Sequence, residues 1–234
     1  MDISFIDNLA YNKDSVMHRA SALSKVLMVA LIISAVVISA DILVFLTALV
    51  LLIAILLISN LPVLRVLVFA GYALVFSLIF AISSVGGGLL SPVIIVLKAV
   101  TAAISLLLLI TTTPYPQIFG LFQRVLPQVL VDAMLVTYRS FFILIGQMSS
   151  LITAIRVRGG YSPVKIARNL STMGRIVGHG FIHAWELSES MQNAMFVRGY
   201  KGGLPVSPMA QIASRYDLLP IFTGASILIL AVIR

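Results

Sequence analysis

The chain is 234 residues long, 60% hydrophobic and only 10% charged, with a mean hydropathy of +1.11. A soluble domain carries about 25% charged residues, and at this length its interior is too small to hide so much apolar surface. A water-soluble fold is therefore excluded in favour of an all-α polytopic membrane protein. The formal charge is +8, and cysteine is absent, which removes disulfide scaffolds, thiolate metal sites and cysteine nucleophiles.

The N-terminus does not read as a cleavable signal peptide, because Asp2, Asp7 and Asp14 precede any long apolar run. From Val26 to Gln123 only Asp41, Arg65 and Lys98 are ionisable at neutral pH. A membrane span needs roughly 20 apolar residues, and five segments approach or meet that length. Two slightly short ones, 26–40 and 42–59, are joined by a tight turn at Asp41. The third is 66–84. Gly86-Gly87-Gly88 and Ser91-Pro92 then break the chain, and the fourth runs over 93–111. The fifth is 218–233. Lys98, near the start of the fourth, snorkels to the interface in one reading and lines an ion pathway in the other.

Between Arg124 and Asp217 lie fourteen charged residues, ten of them basic. With the N-terminus in the cytoplasm, Lys13, Arg19, Lys25, Arg65 and those ten fall on the inside, and only Lys98 and Arg234 fall toward the outside. That orientation satisfies the positive-inside rule. The expected organisation is an N-terminal membrane domain of four spans (1–112), a cytoplasmic segment of about three helices (113–216) and a C-terminal transmembrane helix (217–234). The expected site is the cell membrane, the charge is accounted for by topology, and nucleic acid is not an expected partner.

In the basic segment, Pro114, Pro116 and Pro127 bracket a short helix predicted over 117–126. A longer helix is predicted over 128–158. Its Gln128, Asp132, Arg139, Gly146, Ser150 and Thr153 recur at helical intervals. The rest of its girth is apolar, so protein or lipid must cover it; a sixth span over its charge-free stretch is the alternative. A third helix is predicted over 173–198, ended by Gly199, with an exit turn at Gly202-Gly203-Leu204-Pro205. His179 and His183 stand four apart, a spacing that can hold a metal. No Glu follows His179 in the zinc-protease pattern, so a turn or interface pair is the preferred reading. Glu186 and Glu189 are expected to pair with neighbouring basic groups, and Trp185 to anchor at an interface.

One short repeat stands out. Ala154-Ile155-Arg156-Val157-Arg158-Gly159 matches Ala194-Met195-Phe196-Val197-Arg198-Gly199. Each copy closes a long helix with a glycine at the position that favours positive φ and places an arginine in the final turn, where the helix dipole favours a cation. Arginine suits multidentate recognition of carboxylates and carbonyl oxygens. Two such tips suit a partner with two equivalent sockets.

On these residues the chain resembles the transmembrane (T) component of energy-coupling factor transporters, the CbiQ/EcfT family. His18-Arg19-Ala20-Ser21-Ala22-Leu23-Ser24-Lys25 is similar to the family's His-Arg-x-Asp-Pro-Arg-x-Lys approach to the first span, with Ser, Ala and Leu replacing Asp, Pro and Arg. Thr111-Thr112-Thr113-Pro114 resembles its Thr-Thr-Pro step, and Tyr138-Arg139-Ser140-Phe141 its aromatic-Arg-aromatic stretch. The two Arg-Gly endings resemble its paired Ala-Arg-Gly coupling motifs, with Val157 and Val197 where alanine is common. Leu187-Ser188-Glu189-Ser190 keeps only the glutamate of the family's Arg-Ala-Glu-Arg.

The resemblance implies a non-catalytic scaffold that holds no cofactor of its own. It would join a membrane-embedded substrate-binding S component to two cytoplasmic ATPase subunits, which bind the ATP. Uptake of a vitamin or a transition-metal ion such as cobalt or nickel would follow. Arg158 and Arg198, with Val157, Gly159, Val197 and Gly199, would be the ATPase-coupling residues. A self-sufficient secondary transporter or channel is the alternative; it requires ionisable or unwound polar sites near mid-bilayer, where the spans offer only Lys98.

Overall fold

Ser21 opens the first long helix because its hydroxyl accepts a hydrogen bond from the Ser24 amide at 3.3 Å, giving one unpartnered N-terminal donor an acceptor. The computed structural model describes residues 15–59, 61–84, 90–123, 125–159, 166–204 and 215–233. Among these residues the regular elements are helices: α1 (Val16–Arg19), α2 (Ala22–Ile38), α3 (Ile42–Ile58), α4 (Val63–Ser83), α5 (Leu90–Thr112), α6 (Tyr115–Phe122), α7 (Gln128–Val157), α8 (Ile166–Val197) and, after a 3-10 turn at Arg215–Asp217, α9 (Leu218–Ile233).

The chain is an all-α polytopic membrane protein. Four described helices are long and apolar enough to cross a membrane: Val66–Ser83 within α4, α5, α7, and Arg215–Ile233, which includes α9. Helices α2 and α3 are apolar but have 17 residues each, about 25 Å at 1.5 Å per residue. That falls short of a hydrocarbon core of about 30 Å. By length and composition alone α7 also meets the requirement of the sixth-span alternative. Its length and hydropathy permit a crossing even though it carries Asp132, Arg139 and Arg156.

Helix bounds also move. Helix α6 starts two residues before the expected 117 and takes Pro116 into its first turn, where the missing amide would have had no intrahelical partner. Helix α8 starts at Ile166, seven residues before the expected 173, and runs unbroken through Gly174, Gly178 and Gly180. Gly180 is buried against the Met148 side chain, whereas Gly174 and Gly178 are exposed, each glycine carrying a helix penalty of roughly 1 kcal/mol. The break expected at Gly86-Gly87-Gly88 lies outside the described residues, as do Gly160-Tyr161-Ser162-Pro163, where the glycine and proline predict a loop after Gly159, together with Pro205, Arg234 and the side chain of Arg65.

The described chain divides into two compact units, Met1–Leu121 with Ser207–Arg234, and Phe122–Val206. In the first, α5 packs against α2, α3 and α4, and α9 packs against α2 and α3. Their shared core is built on Met28, Ile32, Phe45, Leu52, Leu108 and Ile227. Gly224 lets α9 approach α2 closely: a Cβ there would meet the Met28 Cα at 3.1 Å and the Leu31 Cδ1 at 3.2 Å, the small-residue packing favoured where helices meet in a bilayer. Lys98 is half-buried, with its ammonium 5.5 Å from the centre of the Phe45 ring, within reach of a cation–π attraction.

Charged groups complete two helix ends in this unit. Asp217 accepts hydrogen bonds from the Ser21 amide at 2.5 Å and from the Ser24 hydroxyl at 3.0 Å, placing a carboxylate at the positive end of α2. Lys25, read from the charge pattern as a loop-side cation, is fully buried. Its ammonium donates to the Thr112 carbonyl, the last of α5, at 2.9 Å. A cation thus meets the negative end of a helix, and two of the recognised sequence stretches, Ser21–Lys25 and Thr111–Pro114, come together.

Removing the ammonium strands that carbonyl in an apolar setting. A hydrogen bond to a charged group contributes about 1.5–3 kcal/mol, so Lys25→Met is expected to lower the thermal stability of the detergent-solubilised protein by about 2 kcal/mol. An unchanged melting temperature would contradict the burial and bonding of this lysine.

Candidate functional site: two arginine helix tips

The last four carbonyls of a helix have no intrahelical partner, and α7 and α8 meet that constraint in the same way. At the end of α7 the Arg158 amide donates to the Ala154 carbonyl at 3.1 Å, and the Gly159 amide donates back to Arg156 at 3.1 Å. At the end of α8 the Arg198 amide donates to Ala194 at 3.2 Å, and the Gly199 amide to Phe196 at 2.9 Å. The Tyr200 amide adds a bond to Met195 at 3.0 Å, completing the paired-bond glycine cap. The alanine shared by both sequence copies is thus the acceptor for the arginine amide in both.

Gly159 and Gly199 take φ values of 70° and 75°. A Cβ at either would meet nothing within 4 Å. Glycine is therefore required by the left-handed backbone, which other L-residues disfavour, and not by lack of space.

The side chains at both tips face outward. Val157 and Val197 are 83% and 89% exposed, and Arg158 and Arg198 are exposed beside them. Each tip thus offers an apolar patch and a guanidinium to whatever lies opposite.

Helices α7 and α8 run antiparallel. The Ser140 hydroxyl lies 3.4 Å from the Met191 sulfur, the Met148 methyl fills the place a Cβ on Gly180 would need, and Asp132 meets Tyr200. The two tips consequently sit at opposite ends of the pair. Arg158 lies 26 residues beyond Asp132, whereas Arg198 lies two before Tyr200, so at 1.5 Å per residue the tips are about 40 Å apart.

Asp132, which the sequence placed on a polar helix side with Gln128, Arg139, Gly146, Ser150 and Thr153, is buried while those five are exposed. It accepts hydrogen bonds from the Tyr200 hydroxyl at 2.6 Å and from the Gly203 and Leu204 amides at 2.9 Å each. The bond to Asp132, reinforced by burial, raises the pKa of the Tyr200 hydroxyl above its ordinary value. Its signal in the sequence was a lone carboxylate in an otherwise apolar helix half; what it binds could not be read there.

An open groove of about 530 Å³ lies between the helices, lined by Phe142, Met148, Leu151, His179 and His183 among others. His183 Nδ1 stands 3.5 Å from Glu186, and Trp185 donates to Glu189 at 3.1 Å. Glu186 thus meets a basic side chain as expected, whereas Glu189 accepts from an indole. Among the described residues no group of three or more His, Asp or Glu side chains is placed to hold a metal.

A sequence model of the CbiQ family, described as cobalt transport protein, matches residues 13–209 of this chain. The uncharacterized protein MJ1089 of Methanocaldococcus jannaschii is 35% identical over 92 residues, 39% of this chain and 34% of that protein. A Methanocorpusculum labreanum protein named as a fused cobalt transport protein, CbiMQ, is 31% identical over 117 residues, 47% of this chain and 19% of that protein. The chain thus spans about a third or less of the length of these relatives.

Replacing Gly159 or Gly199 with alanine forces a Cβ into the left-handed region, at about 1–2 kcal/mol. Amide exchange at Arg158 or Arg198 is expected to accelerate correspondingly in the altered copy. Unchanged exchange would contradict the tip geometry.

Proposed function

The chain belongs to the CbiQ cobalt transport protein family, and from that premise we propose that it is the membrane scaffold of an energy-coupling factor importer. In this reading it is a non-catalytic subunit of the cell membrane, with its N-terminus in the cytoplasm. Arg158 and Arg198 dock the tips of α7 and α8 into two cytoplasmic ATPase subunits. The chain passes their ATP-driven movement to a membrane-embedded substrate-binding S component.

The observation that carries the proposal is that two separate helices end in an arginine followed by a left-handed glycine, with matching arginine and glycine amide bonds. A single exposed arginine after a helix needs no function. Two tips that share the arginine and glycine amide bonds, a left-handed glycine and an exposed valine match a partner that presents its socket twice, as a pair of similar ATPase subunits does. A span of about 40 Å gives each tip its own subunit.

The alternative, a self-sufficient transporter or channel, needs ionisable groups free to meet an ion within the spans. Lys25 is committed to the Thr112 carbonyl and Lys98 lies over the Phe45 ring, so neither supports that reading. Substrate choice falls to the S component, and cobalt is the first ion to test, because the family is described by it.

Truncating an interfacial charge that is bonded on docking weakens association strongly. With ATPase subunits and an S component co-expressed, the Arg158→Ala/Arg198→Ala double variant is expected to insert normally and to lose at least tenfold in cobalt uptake. Wild-type uptake by the double variant would overturn the assignment, and so would uptake by this chain alone in liposomes.

A further inference from the structure

The tip at Arg198 is held by more than its own helix. Immediately after it the chain turns back through Gly202 and Gly203, at φ 100° and 89°, and delivers three donors to one carboxylate. Asp132, one turn into α7 and 5% exposed, takes the Tyr200 hydroxyl and Gly203 amide on one oxygen and the Leu204 amide on the other. Tyr200 is two residues from the arginine, and its own amide closes the cap on Met195. One side chain of the neighbouring helix therefore fixes both the cap and the strand of chain leaving it.

We propose that Asp132 is a positioning residue that clamps the Arg198 tip of α8 to the N-terminal turn of α7, so that a force on the tip moves both helices as one body. This rests on the coupling role proposed above and deepens it. A helix end held only by its cap frays under load, because terminal hydrogen bonds are the first to open. A buried carboxylate accepting three bonds resists that, since charge-assisted bonds to an ionised acceptor are roughly twice as strong as neutral ones. The left-handed glycines make the turn-back possible, and the Gln128 side chain packs where a Cβ on Gly203 would stand, closing the clamp from the same end of α7.

The chain has no cysteine, so with cysteine-free partner subunits spin labels at Thr137→Cys on α7 and Phe196→Cys at the tip report one distance without background. In the full chain assembled with its ATPase subunits, that distance is expected to be single, narrow and the same before and after ATP is added. Asp132→Ala is expected to broaden it at least twofold with ATP, and to raise amide exchange at Gly203 and Leu204 at least tenfold. Asp132→Asn, whose carbonyl still accepts, recovers part of the protection. Tyr200→Phe, which deletes one bond and leaves the carboxylate in place, gives an intermediate broadening and carries the test if Asp132→Ala does not fold.

A wild-type distance that shifts with ATP, or an Asp132→Ala profile identical to wild type, would overturn the clamp. If the chain fails to assemble with ATPase subunits, the coupling role fails instead. Amide exchange in the full chain alone then decides the clamp, wild-type protection in Asp132→Ala ruling it out.

Discussion

A helix leaves its final carbonyls without partners, and in an apolar medium each such group costs several kcal/mol unless something answers it. Much of what distinguishes this chain is how it treats those ends. The last carbonyl of α5 receives the buried Lys25 ammonium. The ends of α7 and α8 receive amides folded back by left-handed glycines. One solution ties a bundle together; the other leaves a clean, outward-facing stub.

The difference has functional consequences. A carbonyl satisfied by a distant side chain consumes that side chain, and Lys25 is accordingly withdrawn from any surface role. A carbonyl satisfied by the backbone of the residues that follow leaves the arginine side chain uncommitted to its own helix. In the proposed coupling role Arg158 and Arg198 are therefore available to a partner, beside a valine that gains from being covered. Because the capping bonds come from main chain, the stub keeps its shape whether or not the partner is present, so little ordering cost attends docking.

The sequence was most legible where periodicity and punctuation are strong. Helix α9 lies where the apolar run 218–233 placed it, and α7 begins at the expected Gln128. The two Arg-Gly endings were visible as a repeat, and their glycines do take positive φ. Three things could not be read. The start of α8 was hidden because its first turns carry Asn169, Ser171 and Thr172, residue types of low helix propensity. The burial of Lys25 was hidden because its acceptor lies 87 residues away, and a basic residue before a span looks like a topology marker. The partners of Asp132 were hidden because two of its three donors are backbone amides, which carry no side-chain signature.

The central claim is that the two tips touch ATPase subunits, and contact can be measured directly. A single photoreactive crosslinker attached at Val157→Cys or Val197→Cys, in membranes containing the assembled transporter, is expected to form an adduct with an ATPase subunit from each position. With both positions labelled, adducts to two subunits of the same complex are expected. Adducts with lipid or with this chain alone, from both positions, would contradict the account.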